Sequence, residues 1–170
     1  MKELQTRKKN RLECYDYSSV GSYFLTVCIK DMQELLCRIV GDAALGVPHV
    51  ELTEIGEKVK TRIENIFKIS NVRLETYVIM PNHIHLLLTI TDGTPRAASP
   101  TKAKIPQIVN ALKSLITKQL GYSIWQRSYH DHIVRDENEF NRIAEYIDSN
   151  PICWEDDCFH PVKLEKVINN

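Results

Sequence analysis

Apolar residues recur along this chain with two different periods, and the change of period marks the predicted elements. Residues 22–30 (SYFLTVCIK) are rich in aromatic and β-branched side chains, a composition typical of a strand. Residues 53–69 instead carry apolar side chains every three or four positions, which is typical of an amphipathic helix, with Thr53 as its expected cap. The complete pattern predicts strands at 22–30, 34–40, 47–52, 72–80, 83–90 and 124–134, and helices at 53–69, 105–120 and 136–150.

The order of these elements predicts the fold class. Apart from the two short strands, the chain runs strand, helix, two strands, helix, strand, and then adds a third helix. This order is typical of an α+β ferredoxin-like sandwich, in which an antiparallel sheet carries two helices on one face. We expect the C-terminal helix, 136–150, to be an addition that approaches the other face.

Length and composition limit the kind of protein this is. A chain of 170 residues is long enough for one domain, and its 22 basic and 22 acidic residues exclude a uniformly basic DNA-coating protein. The chain has no apolar run of about 20 residues, and residues 1–11 are charged, so we expect a cytoplasmic protein without membrane association. The five cysteines form no CxxC pair, which favours reduced thiols over a zinc site.

Basic residues are concentrated in one part of the chain. No acidic residue occurs between positions 93 and 130, whereas acidic residues predominate from 131 onward, and the N-terminal arm at 1–12 is basic as well. A local basic surface can bind a nucleic-acid backbone even in a neutral protein, although the same residues are also typical of an ordinary solvated surface. The candidate DNA contacts are Lys102, Lys104, Lys113, Lys118 and Arg127.

Two histidines, His83 and His85, begin the most apolar predicted strand. Side chains alternate between the faces of a strand, so both imidazoles point to one face while Ile84 points into the core. A divalent metal would satisfy both rings, but two hydrogen-bonded histidines at the edge of the core have the same spacing. A second pair, His130 and His132, lies in a polar stretch that favours surface histidines.

The last predicted helix carries a polar pair beside its apolar stripe. The stripe consists of Phe140, Ile143, Ala144 and Ile147. Tyr146 lies at the margin of this stripe, and Asn150 follows one turn later on the same side. A phenol and an amide therefore project together from the edge of the packed face. On spacing alone, an amphipathic tyrosine at a buried rim is the more common explanation.

Four ordered stretches of the sequence resemble one family. The first, YVIMPNHIHLLL from Tyr77, resembles the metal-binding strand of the single-tyrosine HUH transposases, and more narrowly of the REP-associated tyrosine transposases. The other stretches are YDYS followed by YFLT near the N-terminus, WQRSYHDH at 125–132, and RIAEYIDSNP at 142–151. The matches run in order over nearly the whole chain, and the family fold is the ferredoxin-like sandwich that the element order predicts.

The resemblance implies a role for each residue of a site. His83, His85 and, as third protein ligand, Asn150 would hold a divalent metal, Mg²⁺ or Mn²⁺. Tyr146 would attack a phosphate of single-stranded DNA, leaving a 5′-phosphotyrosine and a free 3′-hydroxyl. A cation is needed because a phenol is a weak nucleophile until phosphate charge is neutralised. The competing tyrosines are Tyr77, Tyr122 and Tyr129.

The sequence thus predicts a single HUH-type transposase domain over residues 1–170, with the basic arm at 1–12 and a C-terminal tail at 155–170. We expect it to cleave and rejoin hairpin-forming single-stranded DNA, such as palindromic repeats, in support of DNA transposition, as a monomer or homodimer. The alternative is a catalytically idle module of the same fold that binds a DNA or RNA hairpin. If the ligands are free imidazoles, cleavage should fall below about pH 6.5.

Overall fold

The computed structural model describes residues 20–41, 48–69, 72–91 and 105–161. Within these ranges the principal elements occur in the predicted order. The strands are β1 (Gly21–Cys28), β2 (Cys37–Val40), β3 (His49–Leu52), β4 (Val72–Ile79), β5 (His83–Ile90) and β6 (His130–Val134), and the helices are α1 (Glu54–Ile69), α2 (Ile105–Leu120) and α3 (Glu137–Ser149). The strand predicted at 124–134 is shorter than expected, because residues 124–129 contribute one isolated bridge, between Trp125 and Ile29.

The sheet has the topology of a ferredoxin-like sandwich. Four strands pair antiparallel in the order β4-β5-β1-β6, so that β1 and β5 lie at the centre. The hairpin of β2 and β3 forms a separate two-stranded sheet. Helices α1 and α2 contact each other, while α3 contacts β4 and β5. The predicted fold class is therefore confirmed.

Alternation in the central strands divides their side chains between the two faces of the sheet. On one face, Leu25 of β1 and Ile84 of β5 lie in a continuous core with α1 and α2, and burial of each such side chain stabilises the fold by roughly 1.5–3 kcal/mol. That core also contains Tyr23, Val27, Leu86, Leu88, Val59, Ile63, Leu112 and Ile116. The register places His85 opposite Thr26 on the other face.

Capping residues fix where α1 and α3 begin. The Thr53 hydroxyl accepts a hydrogen bond from the Gly56 amide at 3.1 Å, as the sequence predicted. An Asp136 carboxylate oxygen accepts from the Glu139 amide at 2.8 Å at the start of α3. Helix α3 then ends at Ser149. Asn150 still has helical backbone angles, φ −55° and ψ −41°, but Pro151 has no backbone N–H to continue the helical hydrogen bonds. These boundaries determine which side chains α3 presents to the sheet.

A tight turn follows β1 at the end of the sheet where β5 begins. It contains a short 3₁₀ segment, Lys30–Met32, in which Asp31 and Met32 have positive φ angles of 55° and 52°. The Ile29 amide donates to the Asn82 carbonyl at 2.8 Å. The turn is thereby joined to the residue that directly precedes β5.

Candidate active site

His83 and His85 lie side by side on the face of the sheet opposite the α1 and α2 core. Both are buried, with 0% and 1% of their surface exposed, and their Nε2 atoms are 3.0 Å apart. Their Nδ1 atoms face other partners, since His83 Nδ1 lies 2.9 Å from Asn82 Oδ1 and His85 Nδ1 lies 2.9 Å from Thr26 Oγ1. Because side chains alternate along β5, the two rings lie on the same face, and their Nε2 atoms come together at one point.

Burial sets the charge state of this pair. It lowers the pKa of His83 and of His85 to about 3 each, and for His85 the neighbouring ring adds to the effect. Both imidazoles are neutral at physiological pH, which is the form that binds a metal. The expectation of free imidazoles that protonate near pH 6.5 is therefore wrong for these two residues.

An acidic residue that the sequence did not single out completes the cluster. Asp157 is 6% exposed, and one of its carboxylate oxygens belongs, with a ring nitrogen of each histidine, to a group of atoms within 4.8 Å of one another. The described part of the predicted C-terminal tail thus packs onto the site, and the centroid of the Phe159 ring lies 4.6 Å from that of the His83 ring. No sequence signal separates Asp157 from the exposed Asp156 beside it.

Helix α3 brings Tyr146 and Asn150 to the same cluster. The Tyr146 hydroxyl lies 3.4 Å from His85 Nε2 and donates to Asp157 Oδ2 at 3.2 Å, while the residue remains 40% exposed. Burial, followed by the negative charge of Asp157, raises the pKa of Tyr146. Asn150 Nδ2 donates to the same carboxylate oxygen at 3.0 Å. The predicted nucleophile therefore lies beside one predicted histidine ligand, His85, whose Nε2 atom is 3.0 Å from that of His83.

The chemistry and spacing of this cluster fit a divalent metal. Two ligands about 2.1 Å from one ion and at right angles are about 3 Å apart, which is the separation of the two Nε2 atoms. The buried Asn150 Oδ1 has no hydrogen-bond partner among the described residues, and a cation would satisfy such an acceptor. Two imidazoles with carboxylate and amide oxygens suit Mn²⁺ better than Mg²⁺, which prefers oxygen ligands.

The chain has relatives among known proteins. Residues 49–150, more than half of the chain, match the model of the family described as "Transposase IS200 like". This chain belongs to the IS200-like transposases. An uncharacterized protein of Haemophilus influenzae is 34% identical over 170 residues, a match that covers 89% of this chain and 91% of the relative.

Two further similarities lie within the REP-associated branch. A REP-associated tyrosine transposase of Haemophilus influenzae is 20% identical over 144 residues, which cover 81% of this chain and 73% of the relative. The solved structure of a REP-associated tyrosine transposase bound to a REP hairpin superposes with a TM-score of 0.61 at 19% identity, over 84% of this chain and 72% of that one. The fold is shared, and the resemblance read from the sequence is confirmed.

Other candidate residues of this IS200-like transposase lie elsewhere. Tyr77 donates to Glu64 at 3.1 Å, and burial together with that carboxylate raises its pKa to about 12. Tyr129 is buried in the core, whereas Tyr122 is 56% exposed. The second histidine pair is on β6, where His132 Nε2 lies 2.9 Å from Glu139. Strand β1 separates that pair from β5.

The candidate DNA contacts of the transposase differ in their surroundings. Lys118 and Arg127 are exposed. Lys113 is half-buried, and its ammonium group donates to the backbone carbonyls of Gln126 and Ser128 at 2.8 and 2.9 Å. Burial lowers the pKa of Lys113. Lys102, Lys104 and the basic arm at 1–12 lie outside the described residues. Among the described helices, none has the length and apolar character needed to cross a bilayer.

The buried histidines predict acid-sensitive stability. Their folded pKa values lie below the ordinary value of 6.5, so the unfolded chain binds more protons between about pH 6.5 and pH 3. The metal-free protein should lose up to about 1.4 kcal/mol of unfolding free energy per pH unit for each histidine in that range. Urea unfolding with a chelator at successive pH values measures this slope. The slope should become shallower in the double variant His83→Gln, His85→Gln, and a slope equal to that of the wild-type protein would contradict the assignment.

Proposed function

We propose that this transposase cleaves and rejoins single-stranded DNA through Tyr146, beside a divalent metal held by His83, His85 and Asp157, with the Asn150 amide oxygen as a further ligand. One observation carries the proposal. The Tyr146 hydroxyl lies 3.4 Å from His85 Nε2 and 3.2 Å from Asp157 Oδ2, so nucleophile and metal ligands share one site. Family membership supports the reaction class, which is DNA transposition.

Each side chain has a definite task in this proposal. When bound, the cation neutralises phosphate charge and polarises the phosphorus. The oxygen of Tyr146 forms a bond to phosphorus, the bond from phosphorus to the 3′ oxygen breaks, and the phenolic proton passes to Asp157 Oδ2. The leaving 3′ oxygen takes a proton from water. The products are a 5′-phosphotyrosine and a 3′-hydroxyl, and the covalent bond conserves the phosphodiester energy for rejoining.

Without a cation, the same residues hold Tyr146 in its unreactive form. Burial and the Asp157 carboxylate both raise the pKa of the phenol, so it stays protonated at neutral pH. A cation bound at the two neutral histidines would offset the negative charge of the carboxylate and thereby favour the phenolate. We infer that metal binding and nucleophile activation are linked through Asp157. This link explains why a tyrosine can lie against a carboxylate in a site that must generate a nucleophile.

Hairpin-forming DNA is the substrate we propose. A structural relative is bound to a REP hairpin, and the exposed Lys118 and Arg127 offer phosphate contacts on this chain. The test uses a hairpin oligonucleotide labelled at its 3′ end, incubated with Mn²⁺ and run on a denaturing protein gel. The label should migrate with the protein, because tyrosine retains the 5′ phosphate of the 3′ fragment. A 5′-labelled strand should release only a shorter free fragment, and a chelator should abolish both products.

The same assay separates the enzyme from the idle binding module. Hairpin binding without any adduct, in Mn²⁺ and with every hairpin tested, would support the module and contradict the proposed chemistry. Binding is measured on the same oligonucleotides in a gel-shift experiment. An adduct requires a nucleophile and therefore excludes the idle module.

The exposed basic residues should account for part of the salt dependence of hairpin binding. The double variant Lys118→Ala, Arg127→Ala should make the slope of log affinity against log salt shallower by about 1.4–1.8, since each phosphate contact contributes about 0.7–0.9. Fluorescence anisotropy at several salt concentrations measures this slope. Lys58→Ala is the control, because Lys58 pairs with Glu54 on α1. An unchanged slope in the double variant would remove these two residues from the interface.

A further inference from the structure

We propose that Asn82 is a positioning residue that fixes the tautomer of His83, so that His83 Nε2 presents a lone pair to the metal site. This inference rests on the proposed metal centre and deepens it. Asn82 directly precedes β5, and its side chain is fully buried at 0% exposed. The backbone carbonyl of Asn82 accepts a hydrogen bond from the backbone amide of Ile29 at 2.8 Å, which holds the residue against the end of β1. The sequence marked this position only as a break between two strands.

The surroundings of Asn82 allow its amide one orientation. The Nδ2 group lies 2.8 Å from the Phe159 carbonyl and 3.4 Å from the Met32 carbonyl. A carbonyl oxygen only accepts hydrogen bonds, so the NH₂ group must face these two atoms. The opposite end of the amide, Oδ1, therefore faces His83 Nδ1 at 2.9 Å. Reversing the amide would place an oxygen against two carbonyls and an NH₂ group against the ring.

This orientation determines where His83 carries its hydrogen. Asn82 Oδ1 can only accept, so His83 Nδ1 must be the donor. A neutral imidazole, the form that binds a metal, has one N–H. The remaining nitrogen, Nε2, then has a free lone pair, and it is the atom that lies 3.0 Å from His85 Nε2. A hydrogen bond at the far nitrogen is how proteins commonly orient a histidine ligand.

Two distant parts of the chain contribute to this orientation. Met32 belongs to the turn after β1, and Phe159 belongs to the C-terminal segment that also supplies Asp157. The Phe159 amide donates to Asp157 Oδ1 at 2.7 Å, so the same residue anchors the carboxylate and the Asn82 amide. One connected set of hydrogen bonds therefore orients both a nitrogen and an oxygen of the site.

The tautomer can be observed directly in the metal-free protein. Nitrogen-15 NMR of the histidine rings, recorded with a chelator at neutral pH, distinguishes a protonated from an unprotonated nitrogen. We expect His83 in the wild-type protein to be protonated at Nδ1 and unprotonated at Nε2. A hydrogen found on Nε2 of His83 would overturn the proposal without any variant, and this measurement requires neither metal nor activity.

Two variants of similar size isolate the acceptor. Asn82→Leu and Asn82→Asp both lose the donor toward Met32 and Phe159, but only Asn82→Asp keeps an acceptor for His83 Nδ1. We expect Asn82→Leu to lose the wild-type tautomer and to bind Mn²⁺ about 10–100-fold more weakly. Asn82→Asp should keep the tautomer and bind Mn²⁺ at least about tenfold more tightly than Asn82→Leu does. Thr26→Val, beside His85, should leave the His83 tautomer unchanged.

The outcomes separate this inference from the metal centre on which it rests. If Asn82→Leu keeps the wild-type tautomer and Mn²⁺ affinity, Asn82 does not position His83. If both variants lose the tautomer equally, the amide acts only as packing, and the proposal is again overturned. If the wild-type protein has the expected tautomer but does not bind Mn²⁺, the proposed metal centre fails while the tautomer assignment stands. Thermal unfolding of each variant establishes that the compared proteins are folded.

Discussion

Replacing Tyr146 with phenylalanine should abolish the covalent protein–DNA adduct while hairpin affinity changes little. The substitution removes the hydroxyl that lies 3.4 Å from His85 Nε2 and leaves the ring, whose centroid is 5.4 Å from that of His85. No charge changes, and the hydrogen bond that is lost, to the charged Asp157 carboxylate, is worth about 1.5–3 kcal/mol. The adduct is measured on denaturing gels with 3′-labelled hairpin and Mn²⁺, and affinity by gel shift.

A second tyrosine provides the control for this experiment. Tyr122 is exposed, so Tyr122→Phe should leave the adduct yield unchanged. Mass spectrometry of the digested adduct should locate the nucleotide on the α3 peptide that contains Tyr146. An adduct of wild-type yield in Tyr146→Phe would show that another tyrosine is the nucleophile, and the modified peptide would identify that residue.

Replacing His85 with alanine should abolish cleavage and weaken Mn²⁺ binding by about 100-fold or more, because one of two nitrogen ligands is lost. The domain should remain folded, since its main core is formed by the opposite face of β5, which includes Ile84. Calorimetry measures Mn²⁺ affinity, and urea unfolding checks the fold. Replacement of a buried side chain by alanine leaves a cavity, so some stability is lost as well.

His132→Ala is the matched control for this variant. His132 is the second histidine of a similar alternating pair, but it is exposed and pairs with Glu139. It should retain cleavage and Mn²⁺ affinity. Equal Mn²⁺ binding by His85→Ala and wild-type protein would contradict the proposed centre. Loss of Mn²⁺ binding in His132→Ala alone would indicate that the metal site is on β6.

Local patterns account for what could be predicted from the sequence. Strand alternation is a property of the backbone, so it was enough to place His83 and His85 on one face and Ile84 on the other. The helical period likewise placed Tyr146 and Asn150 on one side of α3. The resemblance to a family then joined two elements that are far apart in sequence. Neither periodicity nor composition could have done so.

The residues that sequence reasoning missed depend on tertiary contacts. Asp157 and Asp156 are adjacent acidic residues, and only the path of the chain after α3 buries the first and exposes the second. Lys113 was predicted as a DNA contact because no acidic residue lies between positions 93 and 130, yet it donates to two backbone carbonyls of the segment that follows α2. Asn82 followed a proline and was interpreted as a turn residue. Besides the neighbouring His83, its side chain contacts two segments that are distant in sequence.

The turn after β1 has a consequence for the energetics of the whole domain. Left-handed backbone geometry costs a residue other than glycine roughly 1–2 kcal/mol, and Asp31 and Met32 adopt it in succession. Methionine has no short polar side chain to offset that strain locally, and its carbonyl is one of the atoms that orient Asn82. The fold therefore holds a strained turn against the site at the expense of its own stability. A sequence that relaxed this turn would be more stable and would lose an acceptor that orients the histidine ligand.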